Sequence, residues 1–379
     1  MLKPRTPLDI SQTNMALTGS ELEKKIKLAA AQLEPSWKAA GQTPGIQVWR
    51  IEKFQVVPWP QSDWGTFFDG DSFIVLHTKG GPSGLSWDVY FWLGRYTTLD
   101  EAGTAAYKTV ELDDFLGGAP RQYREVQGEE SPGFLGLFPQ STLKILAGGV
   151  DSGFTHVEAS KGILTTSLFH VSGPSMRTIR VEECPSPLTS ASLCEADCFV
   201  LFPAGLGKST YVFCGCNSSP GERMRASQYA TQNTKGTSKV EVVTTADAPE
   251  EFWNALGGKG SVPEEVPQTA KKCEGSPVKL YHVTDASGAV SFDLVAEGAS
   301  NVKDYPSLKS GDCYVLLDEK GAGTVWVGSG ANSIEKRESM RWTQSLLNMQ
   351  GTPTAHLSRI MEGDESADFK QRVGCVTKG

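Results

Sequence analysis

The chain has 379 residues, of which 39% are hydrophobic, and its formal net charge at pH 7 is −8. This length and apolar content predict two or three compact domains rather than one. Lys and Arg residues form no basic stripe, which excludes a nucleic-acid binder. Apolar runs such as Phe199–Phe202 are far shorter than the roughly 20 residues that span a bilayer. Residues 1–14 contain no apolar stretch resembling a secretory signal. We therefore expect a cytoplasmic protein without a transmembrane segment.

The eight cysteines of the chain raise the question of a zinc site. Four of them have C-x3-C and C-x-C spacings rather than the usual C-x2-C spacing of zinc knuckles: Cys194, Cys198, Cys214 and Cys216. They lie in or beside strand-like segments, where alternate side chains point to opposite faces and do not converge on one ion. We expect buried, reduced thiols here rather than a zinc site.

An internal repeat organises the chain. A small residue and an aspartate precede an apolar, strand-like run at Asp71, Asp197 and Asp312. A second strand-like run follows each time and ends in a glycine, at Gly94, Gly215 and Gly328. Both landmarks recur roughly every 120 residues, the length of a small domain. The sequence therefore predicts three copies of one unit.

A helix is predicted after each second strand, because a good N-cap residue stands three positions before a glutamate. The three pairs are Thr98 with Glu101, Ser219 with Glu222, and Asn332 with Glu335. Two strands followed by a helix, with strands apolar on both faces, predict an α+β fold of α/β/α layers. Each repeat is then a mixed β-sheet between helices.

Gly- and Pro-rich segments predict the domain boundaries. Residues 148–153 separate the first two repeats and residues 255–278 the last two. A helix is also predicted over residues 20–40, with Ser20 as N-cap and Glu23 at the third helical position. The predicted division is an N-terminal extension with a helix (1–40), repeat one (41–150), repeat two (151–256), a linker (257–276) and repeat three (277–379).

Four motifs in repeat one carry a resemblance to a known family. They occupy Gly45–Glu52, Asp69–Thr78, Leu112–Leu116 and Arg124–Ser131. In this order they resemble the gelsolin superfamily, in its three-repeat form, and the resemblance covers roughly residues 20–379. It implies three gelsolin-like domains that bind actin monomers and filaments in response to Ca²⁺, in the cytoplasm and cytoskeleton. It implies no enzymatic activity, and motifs typical of hydrolases, phosphate-binding loops and zinc proteases are indeed missing from the sequence.

The resemblance implies one calcium site in each repeat, built from a strand-edge aspartate, the preceding carbonyl and the helix glutamate. These positions are Gly70, Asp71, Glu101 and the Val150 carbonyl; Ala196, Asp197 and Glu222; and Gly311, Asp312 and Glu335. Oxygen ligands of this kind suit Ca²⁺. In any one repeat taken alone, a capping box with no metal is the favoured explanation of the glutamate, and its recurrence in all three repeats, together with the family resemblance, favours calcium. In repeat two the family adds a linker carboxylate, for which Glu264 and Glu265 are candidates.

The helix predicted over residues 98–116 carries two apolar stripes. One follows the spacing of a core face: Ala102, Ala105, Thr109, Leu112 and Leu116. The other runs beside it: Gly103, Ala106, Tyr107 and Val110, ending at Asp113. The resemblance implies that this second stripe enters a cleft on actin, and that Asp113, with carbonyls near Gly118 and Pro120, shares a calcium with an actin carboxylate. The alternative is that loops of the same chain cover Tyr107 and Val110.

The resemblance implies calcium-dependent severing of actin filaments followed by capping of the barbed end, with repeat two on the filament side. A capping protein that does not sever stays open as the alternative, and a calcium-buffering array as a weaker one. Phosphoinositide binding has little support, since only Lys144, Arg177 and Arg180 stand where relatives carry basic clusters, and each contributes only about 1 kcal/mol. Cys198 and Cys214 stand where secreted relatives form a disulfide, and two free thiols are expected in a reducing cytosol.

Overall fold

The computed structural model describes residues 28–374, apart from 30, 83, 139–142, 150–164, 177, 206, 235–237, 266–276, 285–289, 306–307, 351 and 353–354. Within this part of the chain, one arrangement of strands and helices occurs three times, and the α+β fold predicted from the sequence is confirmed. No helix among the described residues is long and apolar enough to cross a membrane. The N-terminal helix predicted from Ser20 begins outside the described residues. Helical turns are seen at 28–29 and 31–33.

The first repeat contains β1 (Gly45–Glu52), β2 (Gln55–Pro58), β3 (Thr66–Phe68), β4 (Ser72–Gly81), β5 (Gly84–Leu93), α1 (Leu99–Phe115), β6 (Arg121–Val126), α2 (Pro132–Leu135) and β7 (Leu143–Leu146). The second contains β8 (Ser167–Ser172), β9 (Arg180–Glu183), β10 (Cys198–Phe202), β11 (Thr210–Cys214), α3 (Pro220–Asn233), β12 (Val240–Val243) and α4 (Glu250–Ala255). The third contains β13 (Val278–Thr284), β14 (Ser291–Gly298), β15 (Cys313–Leu317), β16 (Gly323–Val327), α5 (Ser333–Met349), β17 (Leu357–Met361) and α6 (Ala367–Val373).

The strand order is the same in each repeat. In repeat one it is β2-β1-β4-β5-β6, with antiparallel pairs except for β5 and β6, which are parallel. Strands β9-β8-β10-β11-β12 and β14-β13-β15-β16-β17 repeat this pattern. A parallel pair needs a crossover connection, and α1, α3 and α5 supply it. The start of each long helix is thereby brought to the edge of the sheet where the aspartate-bearing strand begins.

Both faces of each sheet are buried, as the continuous apolar strands predict. In repeat one, Ala105 and Leu112 of α1 pack on one face, and Phe134 and Leu135 of α2 pack on the other. The same two layers form in repeat two from α3 and α4, and in repeat three from α5 and α6. Each long helix therefore has one face committed to its own sheet.

The repeats do not keep separate sheets. Strand β6, at the edge of repeat one, pairs antiparallel with β17, at the edge of repeat three, and the two sheets become one of ten strands. Strands β3 and β7 extend the sheet of repeat two to seven strands. Edge strands expose unpaired backbone groups, so pairing two edges satisfies both. No local pattern predicted this merger, and the predicted domain boundaries stay predictions.

Candidate functional site

The three strand-edge aspartates occupy the same backbone environment. In every repeat, the glycine that ends the second long strand donates its N–H to the aspartate carbonyl. The N···O distances are 2.9 Å for Gly94 to Asp71, 3.0 Å for Gly215 to Asp197 and 3.1 Å for Gly328 to Asp312. The aspartates predicted to be equivalent from sequence are thus equivalent in position.

These glycines are required because the backbones approach too closely for a side chain. A Cβ on Gly94 would lie 2.4 Å from the carbonyl oxygen of Asp69. The corresponding distances are 2.4 Å from the carbonyl of Glu195 for Gly215, and 2.3 Å from that of Ser310 for Gly328. Contacts this short are not tolerated in a packed interior. The turn therefore fixes each aspartate beneath the start of its crossover helix.

The helix glutamates are buried at the helix starts. Thr98 Oγ1 accepts the Glu101 N–H at 3.2 Å, and the Glu101 side chain is only 3% exposed. Ser219 and Glu222 bond each other reciprocally, at 3.2 and 2.8 Å. Asn332 and Glu335 do the same, at 3.0 and 3.2 Å. The hydrogen bonds of a capping box are therefore present in repeats two and three.

In repeat two, Glu222 caps its helix and also lies next to Asp197. Glu222 Oε1 accepts the Gly173 N–H at 3.1 Å, and the Glu222 carboxyl lies near enough to Asp197 to affect the Asp197 pKa. Burial opposes ionisation of Asp197, but hydrogen bonds and the charge of His170 outweigh it and lower the Asp197 pKa. Two carboxyl groups that meet in this way suit a divalent cation.

A cationic or imidazole side chain contacts each aspartate from the neighbouring strand. Arg50 Nη2 lies 2.5 Å from Asp71 Oδ2. His170 Nε2 lies 2.8 Å from Asp197 Oδ2, and His282 Nε2 lies 3.0 Å from Asp312 Oδ2. These three residues occupy one register position, opposite the residue two places after the aspartate: Phe73, Phe199 and Tyr314.

Sequence reasoning missed these partners, although a signal was present. An aromatic residue, a basic or imidazole residue and an aliphatic residue follow one another in the first strand of every repeat. The three segments are Trp49-Arg50-Ile51, Phe169-His170-Val171 and Tyr281-His282-Val283. An ionisable residue within an apolar strand needs a partner when it is buried. Its recurrence at one position would have indicated the aspartate.

The site of repeat one is closed by the segment after β7. Gly70 N–H donates to the Gly148 carbonyl at 2.8 Å, and Gly148 N–H donates to Asp69 Oδ1 at 2.8 Å. A Cβ on Gly149 would lie 2.6 Å from Asp71 Oδ1, so the backbone forms a narrow cradle around a fully buried carboxylate. Carboxylate and carbonyl oxygens of this kind fit a hard cation. Val150, the predicted carbonyl ligand, lies outside the described residues.

The other predicted ligands vary in exposure. Asp197 and Asp312 are half-buried, as is Ala196, whereas Gly311 is exposed. The linker after repeat two returns to its site, since the Glu195 N–H donates to the Pro263 carbonyl at 2.9 Å. The two residues after Pro263 are the linker acids suggested from sequence, and both are exposed: Glu264 and Glu265. They directly follow Pro263, whose carbonyl contacts the loop that holds Asp197.

Helix α1 presents its second stripe to solvent. Tyr107 is 63% exposed and Val110 is 46% exposed. Gly103 is exposed as well, and Ala106 is half-buried against the core. Among the described residues, no loop of the chain covers Tyr107 or Val110, so the alternative raised from sequence is wrong for this arrangement. An exposed apolar stripe on an otherwise packed helix is the form of a partner surface.

The lower end of that stripe is covered by repeat three. Arg359 Nη2, on β17, lies 2.8 Å from Asp113 Oδ1 and 3.4 Å from the Pro120 carbonyl. Asp113 is 5% exposed as a result, while Gly118 N–H bonds the Asp113 carbonyl at 2.8 Å. The prediction that Asp113 faces a partner therefore does not hold in this arrangement. The Arg359 guanidinium contacts the Asp113 and Pro120 oxygens that the family resemblance assigns to a calcium shared with actin.

Other buried polar groups line the seam between β6 and β17. The Arg124 guanidinium contacts the side chain of Gln344 and the Ala355 carbonyl, and burial lowers its pKa to about 10. His356 stacks on Tyr123, with ring centroids 6.3 Å apart. Burial and the nearby Arg124 charge lower the His356 pKa to about 4. This seam is packed like a domain interior.

The basic residues considered for lipid binding are engaged elsewhere. Lys144 Nζ lies over the rings of Phe169 and Tyr229, at 5.8 and 5.6 Å, and burial lowers its pKa. Arg180 Nε pairs with Glu130 Oε2 at 3.0 Å. Arg177 lies outside the described residues. Lys144 and Arg180 are thus not surface charges at the junction of repeats one and two.

The cysteines form no four-thiol site among the described residues. Cys198 and Cys214 lie directly opposite each other on β10 and β11, as buried free thiols. Cys216 is exposed. Cys194 donates its S–H to Asp197 Oδ2 at an S···O distance of 3.4 Å, and burial and the Asp197 charge raise its pKa to about 11.

We predict that Arg359→Met opens the seam between repeats one and three. The substitution leaves the Asp113 carboxylate buried without a counter-ion, which costs the closed arrangement about 3–5 kcal/mol. Small-angle X-ray scattering in calcium chelator should show a larger radius of gyration. Adding Asp113→Asn should reverse part of the change, because a neutral amide needs no counter-ion.

Arg341→Met is the matched control, because the Arg341 side chain, also in repeat three, is 80% exposed. Its scattering should equal that of the wild type. A compact Arg359→Met protein, indistinguishable from that control, would contradict the assigned role of Arg359.

Comparison with known proteins shows the family of the chain. The profile of the gelsolin repeat matches residues 53–135 and 299–370. The chain is 39% identical over 356 residues to "Actin depolymerising venom protein gelsolin 1" of Platymeris rhadamanthus, covering 89% of this chain and 91% of that protein. It is 39% identical over 372 residues to "Gelsolin-like protein 1" of Lumbricus terrestris, covering 96% of each. It is 38% identical over 352 residues to "Gelsolin, cytoplasmic" of Homarus americanus, covering 89% of this chain and 45% of that longer protein. The chain belongs to the gelsolin superfamily.

Proposed function

We propose that this chain severs actin filaments in response to calcium and then caps the new barbed end. Repeat one binds actin through α1, and repeat two binds the side of the filament. The activity is one of binding rather than catalysis, and we assign it to the cytoplasm and its cytoskeleton. Family membership supports the proposal, as does the similarity to a Platymeris protein whose name describes it as actin depolymerising.

The exposed stripe of α1 carries the proposal. Apolar side chains such as Tyr107 and Val110, exposed beside a buried face, give the helix a surface that its own repeat does not use. An amphipathic helix of this form binds by laying the stripe into a hydrophobic cleft. The stripe ends at Asp113, which Arg359 holds in this arrangement. Full engagement therefore requires repeat three to move away from repeat one.

Calcium is the proposed trigger, and the acid pairs are its proposed ligands. Asp71 with Glu101, Asp197 with Glu222, and Asp312 with Glu335 provide the carboxylates, and Gly70 and its equivalents provide carbonyls. When bound, calcium would supply a divalent charge to the aspartates, which Arg50, His170 and His282 contact in this arrangement. Loss of those ion pairs changes how each first strand meets its neighbour, which favours a different arrangement of repeats.

Capping without severing is the second candidate, favoured by one observation. Severing needs a second repeat that binds the filament side, and the two described basic residues at that junction are engaged inside the protein. Lys144 lies beneath aromatic rings, and Arg180 pairs with Glu130. A protein that binds only the end of the filament needs no such basic surface.

Asp71→Asn with Glu101→Gln should weaken the calcium response of the full chain at least about tenfold, since two proposed ligands are lost. Individual fluorescent filaments, watched with calcium or chelator, give the measurement. Breakage in calcium supports severing, and halted growth without breakage supports capping alone.

Asp293→Asn with Glu297→Gln is the matched control, because these acids are exposed on β14. It should behave as the wild type. A wild-type chain that neither breaks filaments nor stops their growth, at any calcium concentration, would contradict the proposal.

Tyr107→Ala should weaken binding to actin monomers by about 2 kcal/mol, or roughly thirtyfold, because an aromatic anchor at an interface centre is lost. Fluorescence anisotropy of labelled actin, in calcium, measures the affinity. Met349→Ala on α5, 74% exposed in the wild type, is the control and should change little. Equal affinities for both variants would argue against α1 as the actin-binding helix.

A further inference from the structure

Repeat two contains a group of three side chains in which the calcium scheme uses Asp197 as a ligand and gives Cys194 no role. His170, Cys194 and Asp197 bring an imidazole nitrogen, a thiol sulfur and a carboxylate oxygen within 4.8 Å of one another. Within the described part of the chain, it is the one group of at least three His, Cys, Asp or Glu side chains with this closeness. Cys194 and Asp197 stand three positions apart in the loop before β10, and the pairing of β8 with β10 brings His170 beside them.

The distances in this group approach those of a tetrahedral metal site. His170 Nε2 lies 2.8 Å from Asp197 Oδ2, and Cys194 Sγ lies 3.4 Å from the same oxygen. Ligand bonds of about 2.0 Å to N and O and about 2.3 Å to S place such atoms roughly 3.3–3.5 Å apart. Small side-chain movements therefore suffice to admit an ion.

The surroundings hold the three side chains in place and leave a path from solvent to the group. The His170 ring stacks on Phe199, with centroids 4.6 Å apart and planes 11° from parallel, which fixes its orientation. Cys194 is fully buried. The His170 and Asp197 side chains are each about one-fifth exposed, at 20% and 21%. An ion can reach the thiol from the solvent side, past His170 and Asp197.

Repeat three provides an internal comparison. His282 and Asp312 form the same pair, and the His282 ring stacks on Tyr314 at 4.8 Å. The residue three places before the aspartate is Lys309 there, whereas it is Cys194 in repeat two. A lysine is cationic and repels a metal ion, so repeat three lacks the third ligand. Repeat two therefore has a set of three donor atoms that repeat three lacks.

The donor set selects the kind of metal. Calcium prefers oxygen ligands, whereas a thiolate and an imidazole favour Zn²⁺ and similar borderline ions. We propose that repeat two binds one Zn²⁺ through His170, Cys194 and Asp197, in competition with calcium for Asp197. On binding, the Cys194 thiol gives its proton to solvent and ligates as the thiolate. Zinc binding stands on the geometry alone, while the competition rests on the proposed function.

Cobalt is the probe for this site, because a Co²⁺–thiolate bond absorbs in the near ultraviolet and Zn²⁺ displaces Co²⁺ without absorbing. The calcium-free full chain is titrated with Co²⁺. We expect a thiolate-to-cobalt band that saturates at one equivalent and disappears on adding Zn²⁺. Cys194→Ser should abolish the band, and His170→Gln should weaken Co²⁺ binding at least about tenfold.

His170→Gln leaves the buried Cys194 thiol unchanged. It therefore tests the site even if Cys194→Ser does not fold. Two controls should keep the band. Cys216→Ser removes an exposed thiol, and His282→Gln removes the matching imidazole of repeat three. Absence of the band in the wild type, or its persistence in both Cys194→Ser and His170→Gln, would overturn the proposal.

Saturating calcium should raise the apparent dissociation constant of Co²⁺ at least about tenfold, because both ions need Asp197. A Co²⁺ titration that calcium leaves unchanged would overturn the competition and count against Asp197 as a calcium ligand. The zinc site itself would stand. Failure of this inference is thereby distinguished from failure of the proposed function.

Discussion

An aspartate at a sheet edge, beneath the first turn of a helix, is the constraint on which each repeat is built; it is fully buried in repeat one and half-buried in the other two. The tight glycine turn fixes its backbone, and a buried carboxylate needs a positive partner. Arg50 meets that need in repeat one, and the imidazole rings of His170 and His282 contact the aspartates of the other two repeats. In the calcium scheme proposed above, these side chains are internal substitutes for the ion.

The seam between repeats one and three extends the same principle. Arg359 bonds the Asp113 carboxylate and the Pro120 carbonyl, so a guanidinium again occupies oxygens assigned to a cation. Pairing of β6 with β17 holds this arginine in place. The α1 stripe beside it stays exposed. Partner binding therefore has two requirements: the apolar stripe, which is already exposed, and the Asp113 carboxylate, which repeat three must release.

Local patterns in the sequence predicted the repeat, the helix starts and the aspartates, because each depends on residues a few positions apart. Thr98 and Glu101 are an example, since the N-cap residue and the glutamate of the first helical turn stand three positions apart. The partners were missed because they depend on tertiary pairing. His170 and Asp197 meet only through the register of β8 and β10, and Arg359 meets Asp113 only because two edges join. Treating Cys194 with the other cysteines, rather than with His170, hid its nearest polar neighbours.

Hydrogen–deuterium exchange across the β6–β17 seam, in the wild-type chain, tests most directly whether calcium separates repeats one and three. The backbone amides of Arg121–Val126 and Leu357–Met361 should be protected in chelator and exchange faster once calcium is added, because their shared hydrogen bonds are lost. Protection that stays equal in both conditions, while filaments are still broken or capped, would contradict the account.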